Sequence, residues 1–187
     1  MNAQTFWGRF KENIYGNKEL VEYWDYTKEF TGLIINKLAE KVIAEEDVIT
    51  EKEYFRVDLI SYKNNMSKKK LYNSLQKYSW DLVCAVEHEN DHRLWVDEVV
   101  KLAHLACPLR VVIGYLPKKV KKNTEIYLEK VAETLDEIEA WNITSNYGEY
   151  MIVLGDCQVE DAKSEGCIYT PYIYNKETKK FEKMNEA

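Results

Sequence analysis

The sequence predicts an α/β protein: a mixed β-sheet flanked by helices, with helices at the N-terminus and a hairpin at the C-terminus. Three observations carry this. Short runs of β-branched and aromatic residues alternate with stretches of helical periodicity. Two of those runs are apolar almost throughout, as strands covered on both faces are. Finally, 187 residues with 45% hydrophobic content suffice for a core that needs no metal or disulfide staple.

Taken in order, residues 4–46 carry apolar groups at helical spacing from Leu20 to Ile43. Gly32 either divides that stretch into two helices or merely weakens one. EYFRVDLISY (53–62) alternates like a strand. Residues 63–79 are polar and basic, a loop with a helical turn near Leu71–Leu75. WDLVCAVEHE (80–89) reads as a central strand that pairs antiparallel with 53–62. Residues 91–106 form an amphipathic helix that Asp91 caps and Pro108 ends. LRVVIGYL (109–116) is a further buried strand. Asn123 or Thr124 caps a helix reaching Trp141, EYMIVLGD (149–156) is a strand, and 167–183 is a hairpin turning near Asn175–Thr178. One domain over 1–187 is expected, with a core at roughly 30–116 and an extension over 117–187.

Charge and composition exclude several classes. The net charge is −6 and the pI about 5.3, whereas a small protein whose whole surface binds nucleic acid is usually basic. Local patches can still act. No run of ~18 apolar residues suggests a membrane span. Cys84, Cys107, Cys157 and Cys167 lack CxxC or zinc spacing, which predicts reduced thiols in a cytoplasmic protein. HExxH, GxSxG, GxxxxGK[ST] and GxGxxG are all missing.

The informative feature is charge at the ends of apolar strands. Asp58 sits within FRVDLISY, and Glu87 and Glu89 close DLVCAVEHE. Strand alternation sends Glu87 and Glu89 to one face, ~6.6 Å apart, and His88 to the other. With neighbouring strands ~4.8 Å apart, Asp58 joins them. Three gathered carboxylates repel one another unless protons or a cation lie between them, and a hard divalent ion such as Mg²⁺ suits oxygen ligands. The blander alternative is solvated strand ends, with Asp58 paired to Arg56 or Lys101.

These residues, with the following helix and the strand LRVVIGY, resemble the core of the PD-(D/E)xK nuclease superfamily. That core is a helix, a run of strands bearing Asp and Glu-x-Lys, a helix and a further strand. The resemblance covers roughly 30–116 and implies a restriction-endonuclease-like fold. It implies that Asp58 is the metal-binding Asp and Glu87 the Glu of Glu-x-Lys. Glu89 stands where the family usually has Lys, so it serves as a general base or as a metal ligand, and Lys101 is the nearest replacement lysine. A further acidic residue from the first core helix falls on Glu40, Glu45 or Glu46. The implied activity is Mg²⁺-dependent phosphodiester hydrolysis, with Mn²⁺ as substitute. The alternative is a nuclease fold that has lost catalysis and serves as a binding or regulatory module.

Lysines point to the partner. Lys63, Lys68, Lys69, Lys70 and Lys77 lie between the two acidic strands, and Lys118, Lys119, Lys121 and Lys122 follow the next one. Tyr62, Tyr72, Tyr78 and Trp80 are interleaved with the first group, as in surfaces that neutralise phosphates and stack bases. DNA or RNA is thus the expected partner, through 63–77 and 118–122. The competing explanation is that these lysines keep edge segments soluble. A homodimer is left open.

Overall fold

A computed structural model describes residues 1–24, 27–64, 80–116, 123–157 and 166–185. Seven strands form one sheet in sequence order: β1 Val48–Tyr54, β2 Val57–Asn64, β3 Trp80–His88, β4 Leu109–Tyr115, β5 Glu149–Asp156, β6 Ile168–Asn175 and β7 Lys180–Lys183. The pairs β1–β2, β2–β3, β5–β6 and β6–β7 are antiparallel, while β3–β4 and β4–β5 are parallel. The helices are α1 Ala3–Asn13, α2 Lys18–Val21, α3 Thr27–Lys37, α4 Trp95–Ala103, α5 Thr124–Asp136 and α6 Glu139–Thr144. The parallel pairs need crossovers, and α4 supplies the first, α5 and α6 the second.

Strand alternation divides the core in two. Leu59, Val86, Val111, Ile113, Met151 and Val153 face Phe6, Phe10, Phe30, Ile34 and Leu38 from α1, α3 and the π-turn after it. Ile60, Ala85, Val112, Tyr150 and Ile152 face Trp95, Val99, Leu102, Leu128, Val131 and Trp141 on α4–α6. The expected mixed sheet with helices on both faces is therefore what forms, with β5–β7 continuing the same sheet.

Several boundaries differ from expectation. The stretch 53–62 is not one strand: it holds the end of β1, a two-residue turn and most of β2. Phe55 and Arg56 make that turn at φ 51° and 63°, left-handed at both central positions as in a type I′ hairpin. Gly32 lies inside α3 and breaks nothing. The N-terminal chain turns instead at Gly16, whose φ is 68°. Asp91 does not cap α4, which starts at Trp95. Its carboxylate binds the backbone and guanidinium of Arg93. The helix expected to reach Trp141 stops at Asp136, and Trp141 belongs to α6. Cys157 and Cys167 are disulfide-bonded rather than reduced, because they extend the β5–β6 pairing one step past Asp156↔Ile168. Cys84 and Cys107 are free and buried.

Candidate functional site

The site starts from the β2–β3 register. Leu59 pairs with Val86, so one further antiparallel step sets Asp58 across from Glu87. Alternation turns Glu87 toward α4 and His88 toward α3. Lys101 rises from the last turn of α4, and its Nζ lies 2.8 Å from Glu87 Oε1. The same ammonium pairs with Glu98, one turn back on the helix, and donates to the Arg56 carbonyl at 2.8 Å. Among the described residues the buried Oε1 of Glu87 meets no polar partner besides this ammonium. Asp58 is held from the other side, where its Oδ2 accepts the His88 backbone N–H at 2.8 Å.

Burial governs the electrostatics. Glu87 is 1% exposed. Burial pushes its carboxyl up to about 8; Lys101 opposes this, and the charges of Asp58 and Glu98 add to it. Asp58 is also raised, by burial first, against the lowering bond from His88. Burial works against the Lys101 charge, but its bonds to Glu87 and Glu98 win and raise it. At neutral pH Glu87 therefore holds a proton, and Glu98 balances the ammonium.

A cleft of about 490 Å³ opens on the Asp58 side of this centre, and neither Glu87 nor Lys101 lines it. One wall is α3, through Lys28, Thr31, Gly32, Ile35 and Asn36. The other is Lys52 and Glu53 of β1, Asp58 of β2 and the β3 end at His88, Glu89 and Asn90. Lys52 reaches across to the Asn36 side-chain oxygen. Behind it, His88 Nε2 is 3.0 Å from the Tyr115 hydroxyl, which is 3.2 Å from the Tyr169 hydroxyl. Burial lowers His88 to about 3, so the ring is neutral.

The expected residues thus separate. Asp58, Glu87 and Lys101 converge from three elements. Glu89 does not join Glu87: it lies one residue past β3, where its N–H still bonds the Ile113 carbonyl at 2.9 Å while its side chain serves the following turn. Its Oε1 accepts the Asp91 N–H at 2.7 Å and shapes the turn into α4. None of Glu40, Glu45 and Glu46 lines the cleft. Glu45 pairs with Arg9 and the N-terminal amine, and Glu40 and Glu46 are exposed. Lys68, Lys69, Lys70, Tyr72, Lys77 and Tyr78, with Lys118, Lys119, Lys121 and Lys122, lie outside the described residues. Sequence reasoning missed Glu98, Lys28, Lys52 and Asn36. Glu98 was findable, since i,i+3 spacing on a helix sets it beside Lys101.

Asp58 and Glu87 suit a hard divalent ion that takes two carboxylates and completes its shell with water. Glu87 Oε1 has the Lys101 ammonium against it at 2.8 Å, so an ion held there would displace that contact. Glu89 is not part of that set, and among the described residues no three His, Cys, Asp or Glu side chains converge as a metal site. Compared with known family profiles, curated proteins and solved structures, the chain matches none. Fold and site together define an α/β protein with a mixed seven-stranded sheet and a carboxylate–lysine centre at one end of β2 and β3. No helix among the described residues is long and apolar enough to cross a membrane.

Proposed function

We propose that the protein is a nuclease-like phosphodiester hydrolase whose centre is Asp58, Glu87 and Lys101. One observation carries the reading: an Asp and a Glu on facing positions of adjoining strands, with an ammonium 2.8 Å from the Glu. Support also comes from the element order, a helix, three antiparallel strands, a helix and a parallel strand, which is the order the PD-(D/E)xK resemblance implies.

Hydrolysis adds water across a P–O bond, its oxygen to phosphorus and a proton to the leaving oxygen. Asp58 and Glu87 would hold Mg²⁺ or Mn²⁺, whose chemistry is to polarise the phosphate and acidify a bound water. Lys101, anchored by Glu98 and the Arg56 carbonyl, offers fixed positive charge where negative charge develops. Glu89 holds the turn that carries Asn90 to the cleft.

The test is cleavage of single- and double-stranded DNA and RNA with millimolar Mg²⁺ or Mn²⁺. Cleavage is expected in wild type, lost in Asp58→Asn and Glu87→Gln, and reduced in Lys101→Met. No cleavage of any substrate by wild type overturns the reading. The second reading, a nuclease-fold binding module, draws on one observation: Lys101 already sits against the buried Glu87, where a metal would bind. It predicts nucleic-acid binding without cleavage.

A further inference from the structure

The β1–β2 turn carries a backbone cost that its residue types do not relieve. Type I′ turns favour Asn and Gly, which tolerate left-handed backbone. Here Phe55 and Arg56 occupy both left-handed positions, at φ 51° and 63°. A bulky residue in that conformation is strained, and strain of this kind clusters at ligand-binding positions. Nor does burial compensate, because Phe55 is 74% exposed, more than any other large hydrophobic residue among those described. A single exposed apolar ring is ordinary. One held at a strained hairpin tip is not.

The position matters as much as the strain. The Arg56 carbonyl accepts from Lys101 Nζ at 2.8 Å, which ties the tip to the carboxylate–lysine centre. Three residues after Phe55 comes Asp58, and just before the tip Lys52 and Glu53 line the cleft. Tyr54 braces the ring edge-on, with centroids 4.6 Å apart and planes at 83°. One face of an aromatic ring thus stands in solvent beside an exposed arginine, next to a centre suited to phosphate chemistry. The cleft, at about 490 Å³, is the size of a small-molecule pocket. Phe55 and Arg56 do not line it; they stand outside its rim, beyond Lys52 and Glu53.

We propose that Phe55 is the stacking platform for an unpaired base, with Arg56 on the adjoining phosphate, so that the site takes single-stranded nucleic acid in preference to an intact duplex. This rests on the nuclease-like reading for its ligand class and extends it to the form of the substrate. Stacking on an aromatic face is tolerant of base identity and strongest where no partner strand must be displaced.

The test is binding of a labelled oligothymidylate, the matching oligouridylate and a blunt DNA duplex, by fluorescence anisotropy in EDTA at low salt. Wild type should bind a single strand more tightly than the duplex. Phe55→Ala should weaken single-strand binding on the order of tenfold and leave the duplex little changed. Phe55→Trp should keep the affinity. Phe55→Gly suits the left-handed turn and should fold at least as stably as wild type while binding like Phe55→Ala, so a binding loss cannot be assigned to unfolding. An oligonucleotide carrying 2-aminopurine should lose fluorescence on binding wild type and not Phe55→Ala. The proposal is overturned if Phe55→Ala binds single strands as wild type does, which is also the outcome if the ring serves a protein partner, or if wild type binds no nucleic acid. If wild type binds through Phe55 and never cleaves, the hydrolase reading falls and this one stands. If cleavage is normal in Phe55→Ala with unchanged binding, the reverse holds.

Discussion

Replacing Glu87 with Gln separates the chemistry of the site from its stability. Glu87 is buried and its carboxyl is pushed up from 4.5 to about 8, by burial first. An unfolded chain releases that proton near pH 4.5. Between the two values the native state binds a proton that the unfolded state lacks, so stability falls as pH rises from about 4.5 through about 8. The interval is about 3.5 in pH, and at 1.36 kcal/mol for each step its full worth is ~5 kcal/mol. Gln copies the shape of the protonated acid and does not titrate. Lys101 keeps Glu98 and the Arg56 carbonyl in the variant. Wild type and Glu87→Gln should therefore match at pH 5. At pH 9 the variant should be the more stable, by a few kcal/mol, or roughly 5–15 °C in Tm for a chain of this size. Urea unfolding and thermal melts at pH 5, 7 and 9 measure this directly. If Glu87→Gln is instead less stable at pH 9, the carboxylate is ionised and held by Lys101. Breaking such a buried pair costs about 3–5 kcal/mol, and the reasoning fails. If it succeeds, loss of cleavage in this variant cannot be blamed on unfolding.

His88 is lowered to about 3, so below about 6.5 the unfolded chain takes up a proton that the native state refuses. Stability should drop as pH falls from 6.5 toward 3, and His88→Gln should flatten that limb in urea titrations at pH 4–7. Opening the Cys157–Cys167 disulfide, by reductant or Cys167→Ser, should cost roughly 2–3 kcal/mol. Alkylation and mass spectrometry of the unreduced, unfolded chain should label only Cys84 and Cys107, and four labelled thiols would count against the bond. Gly148→Ala should destabilise by about 3 kcal/mol or more, since a Cβ there lies 2.0 Å from the Pro108 carbonyl oxygen. A melt unchanged from wild type would mean that the β4–β5 loops yield where they are drawn tight.

Elements were legible where local pattern and tertiary role agreed. WDLVCAVEH is apolar because β3 is covered on both faces, and EYMIVLGD matches β5 for the same reason. The C-terminal hairpin showed because Asn175 supplies turn chemistry, its side chain accepting from Glu177 and Thr178. The β1–β2 turn was hidden because Phe-Arg carries no turn signal. Its two arms therefore read as one strand. Gly32 misled in the opposite sense. Nothing lies within 4 Å of a Cβ built there, and the helix simply runs through it. The disulfide was unreadable because it depends on the β5–β6 register, which spacing alone does not give.

The same distinction explains the site. Asp58 and Glu87 were found because both lie inside strands, where alternation and register fix direction. Glu89 was assigned by extending that alternation one residue past the end of β3. Its N–H still bonds the Ile113 carbonyl of β4 at 2.9 Å, but its carboxylate is taken by the Asp91 N–H of the following turn. The face of Glu87 is covered by α4, and a helix packed there presents side chains three and four apart along one stripe. Glu98 and Lys101 are that pair. The cation beside the buried carboxylate thus comes from the crossover helix, which brings it from fourteen residues away in sequence to 2.8 Å in space. Sequence proximity named Lys101 as the nearest replacement lysine without giving its contacts, while its carbonyl anchor at Arg56 couples the centre to the hairpin tip. A variant such as Lys101→Met would therefore loosen two things at once, the charge at Glu87 and the seat of Phe55. Lys101→Arg preserves the charge but lengthens the reach, and should disturb the hairpin more than the carboxylate.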